Sequence, residues 1–372
     1  MICFVRRSTI DFDIRLSKYI QACVEREIPF IAITWDRMCN SNSFNENEFQ
    51  YKRKAPYGGG WKGLFQFIGW LFFVYAHLLS RFSFYKVIHA CNLESLLVVL
   101  PFKLLGKKIV FDIYDTMSPP IERRLIPFVD MLILPNINRL KQEGLDEITL
   151  GSKLLIIENV TNFNEREFSP KMNETFPKQI RLAYVGVFER KIRGLEKLLE
   201  TVIMNENLSL EIAGVGSGFE IFIEEAQKQC DRITYYGKVD YQKALEIMYG
   251  ADFIVAIYTP SFTPYVYASP NKFYESLYLS IPIISSEGTL VGTQISENNT
   301  GYLIDENDNA LTNLIKQITE EGLINEYKQK VFNCHNLWMS KYKDYFKSNI
   351  VGNYINQCKK LANRDDKKKK LN

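Results

Sequence analysis

The chain is 372 residues long, enough for two domains with complete cores and more than one ordinary domain takes. Hydrophobic residues make up 46% and charged residues 24%, the balance of a soluble globular protein. The net charge of +3 is uneven: residues 359–372 hold seven Lys or Arg against two Asp, so the body ahead of them is slightly acidic, which argues against a nucleic-acid-binding surface on the fold.

Seven cysteines, an odd number with no C-x-x-C pair, argue against a disulfide framework and a zinc site and for a reducing compartment. Three histidines, His77, His89 and His335, leave little material for histidine-based metal binding. The N-terminus reads as a first strand and lacks the apolar core and cleavage site of a signal peptide.

From there, short apolar runs alternate with amphipathic segments, the pattern of βαβ units and parallel sheets. Strands are predicted at 2–5, 30–33, 87–89, 109–111, 131–134 and 154–157, with a helix over 14–26. The run 64–79 is almost wholly apolar, between Lys62 and Arg81. It is shorter than the roughly 20 apolar residues of a membrane span and holds Gln66, Gly69 and His77. Two readings stand: an interfacial helix at a membrane surface, or a buried core helix. Residues 159–178 are polar and read as a linker. The alternation then restarts, with strands at 180–185, 208–213, 233–235, 253–257 and 281–285 and helices near 194–202, 220–229, 241–248 and 272–279. Residues 311–358 read as helical. The lysine-rich end reads as disordered, there either to touch an anionic membrane or only to keep the chain soluble.

The stretch from Ala268 to Glu287 carries the most chemistry. A Pro270-Asn271-Lys272 turn opens a helix bearing one carboxylate, Glu275, followed by the apolar run 281–284. Such a turn offers free amides and a positive dipole end to a phosphate, and Lys272 adds a point charge. Glu275, one turn on, is in reach of sugar hydroxyls. Upstream, a strand runs into a loop at Gly186 that holds Arg190, Lys191 and Arg193 before a helix. Residues 210–218 pass from a strand into a turn with Gly214, Gly216 and Gly218, where backbone can approach a ligand closely. Residues 233–240 repeat the strand–glycine element, with Lys238 and Val239 after Gly237.

Together these stretches cover most of residues 180–304, in order, and resemble the donor-binding half of GT-B glycosyltransferases, in particular the mostly retaining family 4. The resemblance implies two facing Rossmann-like domains with a deep interdomain cleft. Residues 1–165 would form the acceptor domain, 166–340 the nucleotide-sugar domain, 341–358 a helix returning to the first domain and 359–372 a disordered basic tail. It implies Arg193 and Lys272 as the cations that meet the departing diphosphate, without a metal or other cofactor. Gly186, Arg190, Lys191 and Asn271 would line the donor, Glu275 would bind ribose hydroxyls, and the backbone at Lys238 and Val239 would face the base. The donor would be UDP- or GDP-linked and the acceptor a glycan or lipid-linked glycan at the inner face of the cell membrane, as in bacterial polysaccharide and capsule assembly.

The chain departs from the family at three places. Val187 stands where an arginine follows the glycine. Tyr267 stands where the first of two glutamates with seven residues between them belongs, so the donor sugar cannot be read from it. In the first half, Tyr114 replaces a histidine beside Asp115, which is kept as a candidate catalytic contact or a turn cap. A non-catalytic scaffold of the same fold and a nucleotide-sugar epimerase are the alternatives; an epimerase would want more acid/base groups than this histidine-poor chain supplies.

Overall fold

In the computed structural model the described residues are 1–37, 39, 45–55, 60–114, 119–163, 168–171, 177–189, 193–216, 218–307, 309–320 and 323–369. They form two compact units, Met1–Asn162 with Asp344–Asn372, and Phe163–Lys343.

The first unit is built on a seven-stranded parallel sheet: β1 Ile2–Arg6, β2 Phe30–Asp36, β3 Glu48–Lys52, β4 Val87–Cys91, β5 Lys108–Asp112, β6 Met131–Leu134 and β7 Leu154–Ile156, in the order β3-β2-β1-β4-β5-β6-β7. Strands β2 and β4 are buried along their whole length, as continuous apolar runs in a sheet covered on both faces must be. The pleat sends alternate side chains to opposite faces. Cys3, Val5, Ile33, Trp35, Ile88 and Ala90 meet Trp70, Val74 and Leu78 of helix Gly60–Ser80 on one face. On the other, Phe4 and His89 meet Tyr19 of helix Ile14–Glu25 and Tyr354 of the C-terminal segment. The run 64–79 thus has its inner stripe in the core, while its outer stripe is exposed.

Between the sheet and the C-terminal segment lies a buried polar cluster. Arg15 grips Asp112 through Nε and Nη2 at 2.8–3.2 Å and donates from Nη1 to the Ile157 carbonyl at 2.8 Å and Asn159 Oδ1 at 2.6 Å. Tyr19 donates to Asp112 at 2.8 Å, His89 Nε2 stands 3.5 Å from the same carboxylate, and His89 Nδ1 shares a 2.8 Å hydrogen bond with the Tyr354 hydroxyl. His89 is a core residue, and Asn159 takes an Arg15 hydrogen bond just beyond the last strand.

The second unit has a six-stranded parallel sheet: β8 Ile180–Val187, β9 Leu208–Val215, β10 Ile233–Tyr235, β11 Phe253–Ala256, β12 Ile283–Ser286 and β13 Gly301–Ile304, in the order β10-β9-β8-β11-β12-β13. The order reverses between β8 and β11, which pair directly, Leu182 with Phe253 and Ala183 with Ile254. Helices Leu195–Met204 and Glu220–Gln229 bury Leu195, Leu198, Val202 and Ile223 against Leu182, Leu210 and Ile212.

The sequence pattern misses two strands. β3 (Glu-Phe-Gln-Tyr-Lys) is a half-buried edge strand whose short alternation is held by its ladder to β2 and by Phe49 and Tyr51 under helix Gly60–Ser80. β13 is only four residues, too short for a period. The described part of the chain's end also differs from the expected disordered tail: helix Ile355–Lys369 continues as far as Lys369. Its first turns are anchored by the buried side chains of Cys358 and Leu361, and Lys, Leu, Ala and Arg propagate a helix once it is nucleated.

Candidate active site

The reversal of strand order in the second unit marks where an open parallel sheet offers a crevice at the strand ends. The expected donor residues gather there, on the segments that follow β8 and β11. Gly186 sits near the end of β8 with φ +147°, and a Cβ added to it would stand 2.6 Å from Lys272 Nζ. A bare backbone at this position is what lets the lysine lie over the strand end. Neighbouring Gly214 has the same need, since a Cβ there would stand 1.8 Å from the Gly186 carbonyl oxygen.

Lys272 is the second residue of helix Asn271–Leu279, whose N-terminus has no side-chain cap, so its first amides face outward along the dipole. The Lys272 ammonium lies 5.8 Å from the centre of the Tyr184 ring. Burial pulls it below the usual lysine range, Glu275 pulls it back up and Arg193 pushes it down again. Glu275, one turn along the helix, is buried and accepts a hydrogen bond from the Tyr241 hydroxyl at 3.1 Å. Burial raises its carboxyl above the ordinary range, against the pull of Lys272 and of that hydroxyl.

Arg193 precedes helix Leu195–Met204. Its guanidinium lies 4.9 Å from the Tyr258 ring centre and 4.6 Å from that of Tyr265, and its Nε donates to Glu189 Oε2 at 2.8 Å. The Tyr265 hydroxyl donates to the same carboxylate oxygen. Burial alone would make Arg193 easier to deprotonate, but the two tyrosines and Glu189 outweigh it. Glu189 is also raised by burial, yet its hydrogen bonds from Tyr265 and Arg193 hold it below the usual carboxylate range. The result is a fixed cation with a fixed counter-ion.

The remaining expected residues are more scattered. Asn271 is half-buried at the first position of its helix. Lys238 is exposed and Val239 half-buried, just ahead of Asp240, which caps helix Tyr241–Gly250 by accepting from the Lys243 amide at 2.8 Å. Val187 is exposed where an arginine was expected, and Tyr267 is half-buried. Asp115, Arg190 and Lys191 lie outside the described residues. Tyr114, beside Asp115, donates its amide to Asn92 Oδ1 at 2.8 Å and stacks its ring 4.4 Å from the Arg6 guanidinium.

Sequence reasoning missed Glu189, Tyr258 and Tyr265, which hold Arg193, and Tyr241, which holds Glu275. A spacing of four between Glu189 and Arg193 was the only signal available. The tyrosines come from other segments and carry no motif. No group of three or more His, Cys, Asp or Glu side chains able to hold a metal ion occurs among the described residues.

Gly186→Ala tests the packing of this site. Forcing a side chain onto that backbone and against Lys272 should cost about 1–3 kcal/mol of stability and weaken nucleotide binding. Denaturant unfolding and titration with UDP measure both. Unchanged values for each would show that the close approach of Lys272 is of no consequence.

Two Rossmann-like parallel-sheet domains, with cations, a carboxylate and an open helix N-terminus at the reversal point of the second sheet, define the GT-B class. Residues 165–331 match the family model of glycosyl transferases group 1, so this part of the chain carries a glycosyltransferase domain, and the chain as a whole has the GT-B fold. No curated protein matches it by sequence. Among solved structures it is similar to Anabaena Alr3699/HepE in complex with UDP and glucose, at 12% identity over 96% of this chain and 98% of that chain with a TM-score of 0.65. It is also similar to sucrose-phosphate synthase from Thermosynechococcus elongatus, at 15% identity over 97% and 98% with a TM-score of 0.69. A third is WaaG, a glycosyltransferase involved in lipopolysaccharide biosynthesis, at 11% identity over 94% and 98% with a TM-score of 0.64. At such identities the likeness is one of fold.

Proposed function

We propose that the protein transfers a sugar from a UDP- or GDP-linked donor to a lipid-linked glycan or polysaccharide, with retention of configuration, without a metal, on the cytoplasmic side of a membrane it touches peripherally. The observation that carries this reading is the set formed by Arg193, Lys272 and Glu275 at the reversal point of the second sheet. Arg193 and Lys272, with the uncapped amides of helix Asn271–Leu279, supply charge where a diphosphate leaves. Glu275, fixed by Tyr241, offers a carboxylate to ribose hydroxyls, and Lys238 and Val239 offer backbone to the base. The UDP bound in Alr3699/HepE supports a uridine donor. The resemblance to family 4 supports retention and a polysaccharide acceptor.

Lys272→Ala and Glu275→Ala should each weaken donor binding about 10- to 100-fold, the usual worth of a hydrogen bond to a charged group. Calorimetric titration with UDP- and GDP-sugars gives the affinities, and circular dichroism checks that the fold is kept. Donor affinity unchanged in both variants would place the donor elsewhere.

A further inference from the structure

Helix Gly60–Ser80 is 21 residues long, about 30 Å, and apolar on both sides. Its inner stripe, Trp70, Val74 and Leu78, is buried against the first sheet. A surface helix ordinarily turns polar residues outward. Here the outward stripe is Trp61, Leu64, Phe65, Ile68, Phe72 and Leu79, exposed by 78, 47, 70, 41, 68 and 56%. Only 17% of the stretch Gly63–Ser80 is buried. Among the described residues, none of the first unit covers that stripe.

Charge identifies what does. From Phe49 to Leu93 the chain has no Asp or Glu, but six Lys or Arg: Lys52, Arg53, Lys54, Lys62, Arg81 and Lys86. Their placement follows from the packing. Phe49 stacks on His77 and Tyr51 on Phe73, while the Tyr51 hydroxyl donates to Gln66. β3 therefore runs antiparallel to the helix, and the exposed Lys52, Arg53 and Lys54 come out by its N-terminal half. Arg81 and the exposed Lys86 stand at its C-terminal end. An aromatic and aliphatic stripe with cations at both ends and no acid suits the headgroup layer of an anionic bilayer, with the helix in the plane of the surface. It does not suit a spanning helix, because the inner stripe is committed to the sheet.

We propose that this outward stripe is the membrane-docking face of the protein, seated on anionic lipid. The inference rests on the reading of a membrane-linked acceptor and gives it a surface. It also separates the stripe from the lysine-rich end. Helix Ile355–Lys369 starts on the opposite face of the same sheet, where Tyr354 meets His89 and Tyr19, so the docking belongs to the stripe and not to the tail.

The full chain should co-sediment with vesicles of phosphatidylglycerol and phosphatidylcholine in equal parts at low salt, and bind pure phosphatidylcholine at least 10-fold more weakly, because the electrostatic share needs anionic lipid. Phe65→Ser with Phe72→Ser, both at exposed positions, should cut that binding more than 10-fold and leave UDP affinity unchanged. Neutralising Lys367, Lys368, Lys369 and Lys370 with glutamine should change it less than 2-fold. Trp61 is the exposed one of four tryptophans, so brominated lipid should quench its emission. No binding to anionic vesicles, loss of binding in the tail variant only, or a dimer in sedimentation velocity that the serine pair dissolves would each overturn the proposal. Loss of UDP binding by the intact chain would instead strike at the donor site.

Discussion

Arg193→Ala should lower turnover roughly 100- to 1,000-fold, the range seen when one preorganised donor is removed from a site of developing charge. Negative charge grows on the leaving diphosphate as the glycosidic bond breaks, so a cation aimed there acts mainly in the transition state and kcat falls more than KM rises. The structure adds a reason for the size of the effect. Tyr258, Tyr265 and Glu189 fix the guanidinium before the donor arrives, so little reorganisation is left to the reaction. Glu189→Gln should therefore act in the same direction more weakly, by freeing the arginine. Steady-state kinetics with a nucleotide-sugar panel separate kcat from KM. A turnover unaffected by Arg193→Ala, with the loss appearing in KM alone, would make it a ground-state anchor.

Asp112→Ala should destabilise the first domain by about 3–5 kcal/mol, since it strands the buried Arg15 cation without its counter-ion. Replacing both partners, Arg15→Met with Asp112→Leu, should recover much of that loss, because no buried charge remains. Denaturant unfolding followed by separate probes for each domain measures this. A loss below about 1 kcal/mol for Asp112→Ala would show that solvent reaches Arg15. The pH dependence has a defined sign. Burial pushes the Asp112 carboxyl up, but Arg15 and His89 outweigh burial and hold it well below the usual carboxylate range. Its stabilisation is thus complete above the ordinary carboxylate pKa of about 4 and is lost as pH falls towards the lower folded value. His89 is lowered chiefly by burial, against Asp112, so it too favours the fold above its ordinary value of about 6.5 and opposes it as pH drops below that. Both groups make the wild type less stable in acid, and Asp112→Ala should flatten the limb below pH 4.

The candidate site in the second domain was legible because its residues are local. Pro270, Asn271, Lys272 and Glu275 lie within six residues, and a turn, a cation and a carboxylate one helical turn apart have little freedom in how they are placed relative to one another. Gly186 and Gly214 could be read as places where backbone must approach something. What they approach, Lys272 and each other's strand, could not. The first half was harder to read because its polar residues are paired across long separations: Arg15 with Asp112, His89 with Tyr354, Lys18 with the Glu158 carbonyl. Such pairs have no spacing to recognise.

By itself the sequence determined that there are two domains and the parallel βα alternation in each, and it singled out Lys272 and Glu275 as candidates, because periodicity and short motifs are properties of neighbouring residues. Only the tertiary structure decided which side of helix Gly60–Ser80 is core, and that Arg193 is held by two tyrosines and a glutamate. Those outcomes depend on which strand lies beside which and which face of a sheet is already covered, and such facts exist only once residues far apart in the chain have been brought together.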